Sequence, residues 1–237
     1  MTDDTEPVTP YVGPLALVVA LASVAGFLDA ISLARITHTF VAFQTGNLVL
    51  VGLDVGRGDW SEVAPPALAI VAYLAGSALV PTVVRGAAGV RRAVVVRLLG
   101  TTVGLLLVEA VLVAIVCGVG TGDAPGRVLR SVCTVLSGVA MAFQTPVVRT
   151  VDGVSVSSTF STGMLTRLGQ AFGALPDVAR RARESAVARV LGSTVLAFLG
   201  GAVIGGALLE PLGNATIFVP VVALAVIATA TVRVAAD

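Results

Sequence analysis

The sequence predicts an all-α, polytopic membrane helix bundle with about six spans, two short polar re-entrant segments and an inverted 3+3 internal repeat. Three observations predict it: the composition, a series of long apolar blocks, and a short polar phrase that occurs twice. Hydrophobic residues make up 56% and charged residues 12% of the 237 positions, against roughly 25% charged in ordinary soluble domains. The sequence therefore indicates a protein that lies in a bilayer.

Six apolar blocks are long enough to cross roughly 30 Å of hydrocarbon as helices. The first block follows an acidic tail, residues 1–11, and is too long for the hydrophobic part of a signal peptide, so we expect it to remain as a span. The six predicted spans lie near 12–33, 64–84, 94–119, 129–149, 187–209 and 214–235.

The repeated phrase lies between these blocks. Phe43-Gln44-Thr45-Gly46-Asn47-Leu48 and Phe160-Ser161-Thr162-Gly163-Met164-Leu165 share their Phe, Thr, Gly and Leu at one offset (163 − 46 = 117). Polar, glycine-broken segments at matching places in two halves of a membrane protein point to a transporter's binding site. The alternative is that small and hydroxylated residues merely let helices pack closely.

The number of crossings depends on the segments 39–54 and 155–173, which contain the two phrases. As full spans they give eight crossings; as re-entrant segments they give six. Short loops rich in Arg prefer the cytoplasm, and six crossings place both Arg clusters, both termini, Arg149 and Arg167 on that side. We therefore favour six. The clusters are Arg85, Arg91, Arg92 and Arg97 in the first half, and Arg180, Arg181, Arg183 and Arg189 in the second.

Three spans per half is an odd number, so the second half is expected upside down relative to the first. The two halves are residues 12–119 and 120–235, and their phrases approach the midplane from opposite faces. Non-helical backbone at that depth requires protein or a wet cavity around it. Gly46 and Gly163 would permit the break, and neighbouring polar side chains would bind the freed backbone groups.

Two carboxyl groups fall inside predicted spans. Asp29 lies near the end of the first span and Glu109 lies in the middle of another. A charged residue at the bilayer centre costs roughly 2.5–3.5 kcal/mol, so such residues are usually functional or paired. Glu109 is expected to stay protonated, to pair with Arg97 or Arg149, or to relay protons. For Asp29 the alternative is hydration near the membrane interface.

These residues resemble a known family. Gly26-x-x-Asp29-Ala30, Phe40 and the run Gln44-Thr45-Gly46-Asn47 are similar to the YoaK-like family of bacterial membrane proteins, and so are Gln144-Thr145 and Thr159 to Gly163. The chain departs from that pattern at Thr145, where Asn is expected, and at Met164, which stands where the first phrase has Asn47. The resemblance implies location and architecture but no reaction.

The leading functional hypothesis is a small channel or secondary transporter for a solute or ion in the bacterial inner membrane, with protons as a candidate coupling ion. The alternative is a non-transporting scaffold or sensor subunit. The candidate pathway residues are Asp29, Gln44, Thr45, Gly46, Asn47, Glu109, Gln144, Thr145, Thr159, Thr162 and Gly163.

Other functional classes are disfavoured. Gly56-Arg57-Gly58-Asp59 matches the GxGD pattern of intramembrane aspartyl proteases, but it lies outside any predicted span and such enzymes need paired carboxylates. No cofactor, metal site or nucleic-acid binding is expected, and Cys117 and Cys133 are interpreted as small hydrophobic residues. The pattern Gly201-Ala202-Val203-Ile204-Gly205 suits close packing within the chain or in a homo-oligomer.

Overall fold

The computed structural model describes residues 13–87, 90–120, 123–159 and 162–234. The acidic tail 1–11, and Phe160 and Ser161 of the second phrase, lie outside the described residues. In the described part the chain is almost entirely helical, with one short β-hairpin. The elements are α1 (Leu15–Ile31), α2 (Gln44–Arg57), α3 (Trp60–Val84), α4 (Arg91–Cys117), α5 (Arg127–Gln144), β1 (Thr150–Val151), β2 (Val154–Ser155), α6 (Thr162–Ala174), α7 (Arg181–Leu212) and α8 (Phe218–Val234).

Six helices are long and apolar enough to cross a membrane, as the sequence predicts. α1 is extended by a π-helical turn, Ser32–Ile36, and α5 and α8 are extended by short 3-10 turns. α2 and α6 have 14 and 13 residues, or roughly 20 Å at 1.5 Å per residue, too short to span the hydrocarbon. The candidate spans are Leu15–Ile36, Trp60–Val84, Arg92–Cys117, Arg127–Val147, Arg181–Leu212 and Asn214–Arg233.

Contacts between helix ends give the direction of each span. Pro14 before α1, Arg92 in α4 and Thr231 in α8 line one crevice; we call this end of the bundle the basic end. At the other end, the Asn214 end, Asn214 ahead of α8 accepts a hydrogen bond from Arg35 at the end of the first span. α1 and α4 are therefore parallel, and α8 is antiparallel to both. Six crossings produce this arrangement, whereas eight crossings would make α4 antiparallel to α1.

The Arg residues divide unevenly between the two ends. Arg35, Arg57, Arg127 and Arg130 lie towards the Asn214 end. The others lie within about three turns of the basic end: Arg85, Arg91, Arg92, Arg97, Arg149, Arg167, Arg180, Arg181, Arg183, Arg189 and Arg233.

α2 and α6 each connect two spans at one end of the bundle, so both are re-entrant. α1 ends and α3 begins at the Asn214 end, and the loop 37–43 turns back into the bundle before α2 returns to that end. α5 ends and α7 begins at the basic end, and α6 lies between them. Leu168 of α6 packs beside Gly192, about three turns into α7.

Small residues allow α1 and α7 to pack closely. A Cβ on Gly26 would clash with the Phe198 carbonyl oxygen, and a Cβ on Gly201 would clash with the Ser23 carbonyl oxygen. Gly205 faces α1 one turn further on. The backbones of α1 and α7 therefore touch, as small residues allow in membrane helices. The GxxxG pattern serves packing within the chain.

The remaining helices pack in pairs around this seam. Gly76 of α3 and Gly138 of α5 allow a second close contact, in which a Cβ on Gly76 would meet the Ala142 methyl at 2.8 Å. α4 packs on α5 and α8, α2 packs on α3, α6 packs on α7, and α8 packs on α1.

Candidate functional site

Asp29 binds the re-entrant loop from inside α1. Its Oδ1 accepts hydrogen bonds from the backbone N–H groups of Val41 and Ala42, each at 2.7 Å. The residue is only 4% exposed, which rules out a hydrated carboxyl at the membrane interface. Its second oxygen, Oδ2, is buried and has no hydrogen-bond partner in the described part of the chain. The carboxyl therefore fixes the depth to which the loop returns.

Asn47 holds the same loop from α2. Its Oδ1 accepts a hydrogen bond from Phe40 N at 2.9 Å, and its Nδ2 donates to Phe40 O at 2.7 Å. Nδ2 also donates to Gln44 Oε1 at 2.9 Å, while Gln44 Nε2 donates to Val41 O. Asn47 is fully buried. Its amide thus satisfies the backbone that leaves helical geometry at this depth.

Gly46 is required by packing and does not itself break the helix. α2 already begins at Gln44, and the break expected at Gly46 lies earlier, in residues 37–43. The rings of Phe40 and Phe43 pack edge to face with centroids 5.2 Å apart, and a Cβ on Gly46 would come within 2.6–2.8 Å of them. Thr45 is exposed.

His38 marks the turn into the loop. It adopts a positive φ of 58°, a conformation that few non-glycine residues take. Its ring is exposed on the Asn214 side. Partial burial lowers the pKa of the imidazole, and the positive charge of Arg130 lowers it further.

The second phrase is held differently. Thr162 and Gly163 open α6 and are exposed, whereas Met164 is buried at the position equivalent to Asn47. Thr159 lies in the preceding loop, where its hydroxyl is 2.8 Å from the hydroxyl of Ser157. The neighbouring Ser158 hydroxyl is buried and has no partner among the described residues.

Gln144 and Thr145 link α5 to two other spans. Gln144 is fully buried and its Nε2 donates to Leu21 O of α1 at 3.0 Å, while its Oε1 has no partner in the described structure. Thr145 Oγ1 donates to Met141 O at 2.8 Å. With its proton used there, Thr145 accepts the hydrogen bond from the Tyr73 hydroxyl, 2.9 Å away.

Glu109 is buried between α4 and α5. It is 1% exposed, and its Oε2 accepts a hydrogen bond from the Ser137 hydroxyl. The expected pairing with Arg97 is wrong, because that guanidinium donates to the carbonyl oxygens of Val83 and Arg85. Among the described residues Glu109 forms no ion pair with Arg149 either. A carboxyl with only a hydroxyl partner retains the possibilities of protonation and proton relay.

The candidate residues form one compact cluster and several separate positions. Asp29, Gln44 and Asn47 meet around the loop 37–43. Gln144 meets α1 at Leu21, eight residues and roughly 12 Å along the helix from Asp29. The Thr162 segment packs with α6 on α7, while α2 packs on α3.

Sequence reasoning missed Asn214, which ties the Asn214 end together. Its Oδ1 accepts from Arg35 Nε at 2.9 Å, and its Nδ2 donates to Gly118 O and Asp123 O. It is 1% exposed. An isolated Asn at the start of the last apolar block was the available signal.

Asp59 of the GxGD pattern is exposed at the start of α3, where Ser61 donates to it at 2.9 Å. Gly58 ends α2 in the left-handed conformation, with φ 73°. This is a turn between two helices, and Asp59 lies on its surface. Within the described ranges, no group of three His, Cys, Asp or Glu residues is placed to hold a metal ion, and both cysteines are free thiols.

Six apolar spans and two re-entrant helices define a multi-pass α-helical membrane protein. Residues 17–230 match a family of proteins of unknown function, DUF1275. The chain belongs to this family, in agreement with its resemblance to YoaK-like proteins. No curated protein matches the chain. No solved structure matches it either.

Proposed function

We propose that this protein is a small-solute or ion transporter or channel, with its pathway between the two re-entrant segments. The observation that carries the proposal is the placement of two re-entrant helices at opposite ends of the bundle, one with a buried carboxyl and a buried amide at its inner end. Broken helices that meet near the midplane form the binding sites of many secondary transporters.

An inverted internal repeat supports this proposal. Exchanging α1–α4 for α5–α8 turns the pair α1·α7 into α5·α3, the pair α2·α3 into α6·α7, and the pair α4·α5 into α8·α1. All six pairs pack together, and α4 packs on its own counterpart, α8. Residues 12–119 and 120–235 are thus proposed as two halves of opposite orientation. Alternating access in such proteins comes from rocking one repeat against the other.

The orientation follows from charge. We assign the basic end to the cytoplasm of a bacterial inner membrane, because short loops rich in Arg stay on that side. This orientation makes both termini cytoplasmic and lets α2 enter from the outside. α6 then enters from the cytoplasm.

Protons are the coupling ion that fits the interior. Asp29 and Glu109 are both buried, and neither forms an ion pair among the described residues. A carboxyl inside a bilayer without a positive partner is favoured in its neutral form and can take up and release a proton along a pathway. Asp29 lies at the inner end of the first re-entrant loop, and Glu109 lies between α4 and α5.

Thiol accessibility tests the proposal. In a protein with Cys117 and Cys133 replaced by alanine, single cysteines are placed at Thr45 and Thr162, the exposed positions that open α2 and α6. Each variant, in sealed vesicles, is treated from one side with a charged, membrane-impermeant thiol reagent. We expect Thr45→Cys to label from the Asn214 side and Thr162→Cys from the basic side, because water reaches a transport pathway from both sides.

Three control positions make the result decisive. Ala124→Cys and Ala182→Cys report the two aqueous sides, and Leu74→Cys reports a position on α3 that is 63% exposed within a span. Leu74→Cys is expected to remain unlabelled because it faces lipid. If Thr45→Cys and Thr162→Cys also remain unlabelled, the two phrases face lipid too, and the non-transporting scaffold is the correct interpretation. If both label from one side, the opposed re-entrant arrangement fails.

A further inference from the structure

A cavity of about 330 Å³ opens between α3 and α4 at the basic end. α3 and α4 pack loosely there, and α5 with its final turn forms the back wall. Its volume lies at the lower limit of small-molecule sites, which span roughly 300–1,000 Å³. It is separate from the Asp29 cluster, which lies at the other end of α1.

The walls of the cavity are apolar and its mouth is basic. Val80, Val84, Val94 and Leu98 line the walls. Arg149 lies at the mouth with an exposed side chain, and its guanidinium has no hydrogen bond or ion pair in the described part of the chain. The lining contains no acidic residue. The site therefore favours a negatively charged group attached to an apolar body.

Two hydroxyl groups, those of Tyr73 and Ser77, add hydrogen-bonding capacity to the cavity. The proton of the Tyr73 hydroxyl is donated to Thr145, so the Tyr73 oxygen is left as an acceptor. Ser77 lines the cavity, is exposed, and has a hydroxyl that no described residue engages. The cavity thus offers a guanidinium and a hydroxyl as donors and one phenolic oxygen as an acceptor. Tyr73 and Ser77 precede Val84 in a helix that ends at the basic end, so they lie deeper than the guanidinium. A phosphodiester at the mouth with an ester group further in matches this order.

We propose that this cavity binds an anionic phospholipid, with its phosphate on Arg149 at the basic end and an acyl chain leading inward along Val80, Leu98 and Ser77. A guanidinium binds phosphate with two parallel hydrogen bonds. Basic pockets between spans at the cytoplasmic side are where anionic headgroups bind membrane proteins. A soluble anion would leave the apolar walls without a partner, so the lipid is the source that uses the whole cavity. This proposal does not depend on the protein being a transporter.

Lipid retention by native mass spectrometry tests the proposal. The full chain is purified with an equimolar mixture of phosphatidylglycerol and phosphatidylcholine, and the retained lipid is counted for wild type, Arg149→Gln and Arg57→Gln. Arg57→Gln removes the same charge from an exposed position at the other end of the bundle. We expect wild type and Arg57→Gln to retain phosphatidylglycerol, and Arg149→Gln to retain about tenfold less, because charge-assisted hydrogen bonds are lost.

A second variant covers the case in which Arg149→Gln does not fold. Ser77→Leu keeps every charge and fills the cavity from an exposed position, so it is expected to lower phosphatidylglycerol retention in monodisperse protein. Equal retention by wild type and both cavity variants would overturn the proposal. Retention of as much phosphatidylcholine as phosphatidylglycerol by wild type would also overturn it. Displacement of the lipid by millimolar inorganic phosphate would overturn it too, because that result would identify a site for soluble anions.

Discussion

At the inner end of α2, two buried polar side chains, Asp29 and Asn47, bind the backbone of the preceding loop. At the inner end of α6, the equivalent phrase presents Thr162 and Gly163 on the surface and buries Met164. The same short phrase therefore has two physical roles. In the first half it is part of a hydrogen-bonded framework; in the second it is the exposed start of a helix packed on α7.

The difference follows from what each loop leaves unpaired. Residues 37–43 leave helical geometry inside the bundle, where backbone N–H and C=O groups without partners are costly. The second loop contains β1 and β2, whose strands pair with each other, so part of its backbone is satisfied locally. An amide at the Met164 position is then not needed for the same purpose.

The largest contrast is expected from Asn47→Leu against Met164→Leu. Asn47→Leu leaves Phe40 N and O without their partner, and buried unpaired groups of this kind should lower the free energy of unfolding by about 3 kcal/mol. Met164→Leu conserves volume and should cost about 1 kcal/mol. Unfolding in mixed detergent micelles measures both. Equal losses would mean that the two phrases are held in the same way.

Alanine at the two phrase glycines is expected to have opposite effects. A Cβ on Gly46 meets the rings of Phe40 and Phe43 at 2.6–2.8 Å, and such overpacking should cost about 2 kcal/mol. Gly163 is exposed in a helix, so Gly163→Ala should be neutral or stabilise by about 0.5 kcal/mol. The midpoint of thermal unfolding in detergent distinguishes them. A destabilised Gly163→Ala would indicate that this glycine is packed as Gly46 is.

The smallest effect is expected at the ion pair that ties α6 to α7. Arg167 Nη1 lies 2.8 Å from Glu184 Oε2, and the Arg167 side chain is 37% exposed. Pairs open to solvent contribute about 0.2–1 kcal/mol and weaken in salt. Arg167→Gln should therefore lower stability by about 0.5 kcal/mol at low salt, and the loss should shrink in 1 M NaCl. A loss that persists in high salt would mean that Arg167 acts through packing.

Composition and block length were sufficient to predict an all-α bundle with six apolar spans. This prediction succeeds because a membrane-spanning helix needs about 20 consecutive apolar residues, and the length of an apolar run is visible in the sequence itself. Arg placement also favoured six crossings over eight, and the parallel directions of α1 and α4 agree with it. The family resemblance was likewise visible in short motifs such as Gly26-x-x-Asp29 and Thr45-Gly46-Asn47.

The partners of individual polar groups required the packed fold. Glu109 meets Ser137 from another helix, 28 positions away, and Gln144 meets Leu21, 123 positions away. Contacts between residues so far apart in the sequence produce no periodic pattern from which they could be predicted. The role of Gly46 was also hidden, because a glycine that frees the backbone and one that makes room for two rings look alike in a sequence. Burial and hydrogen bonding are properties of neighbours in space, and these neighbours are fixed only when all the helices pack together.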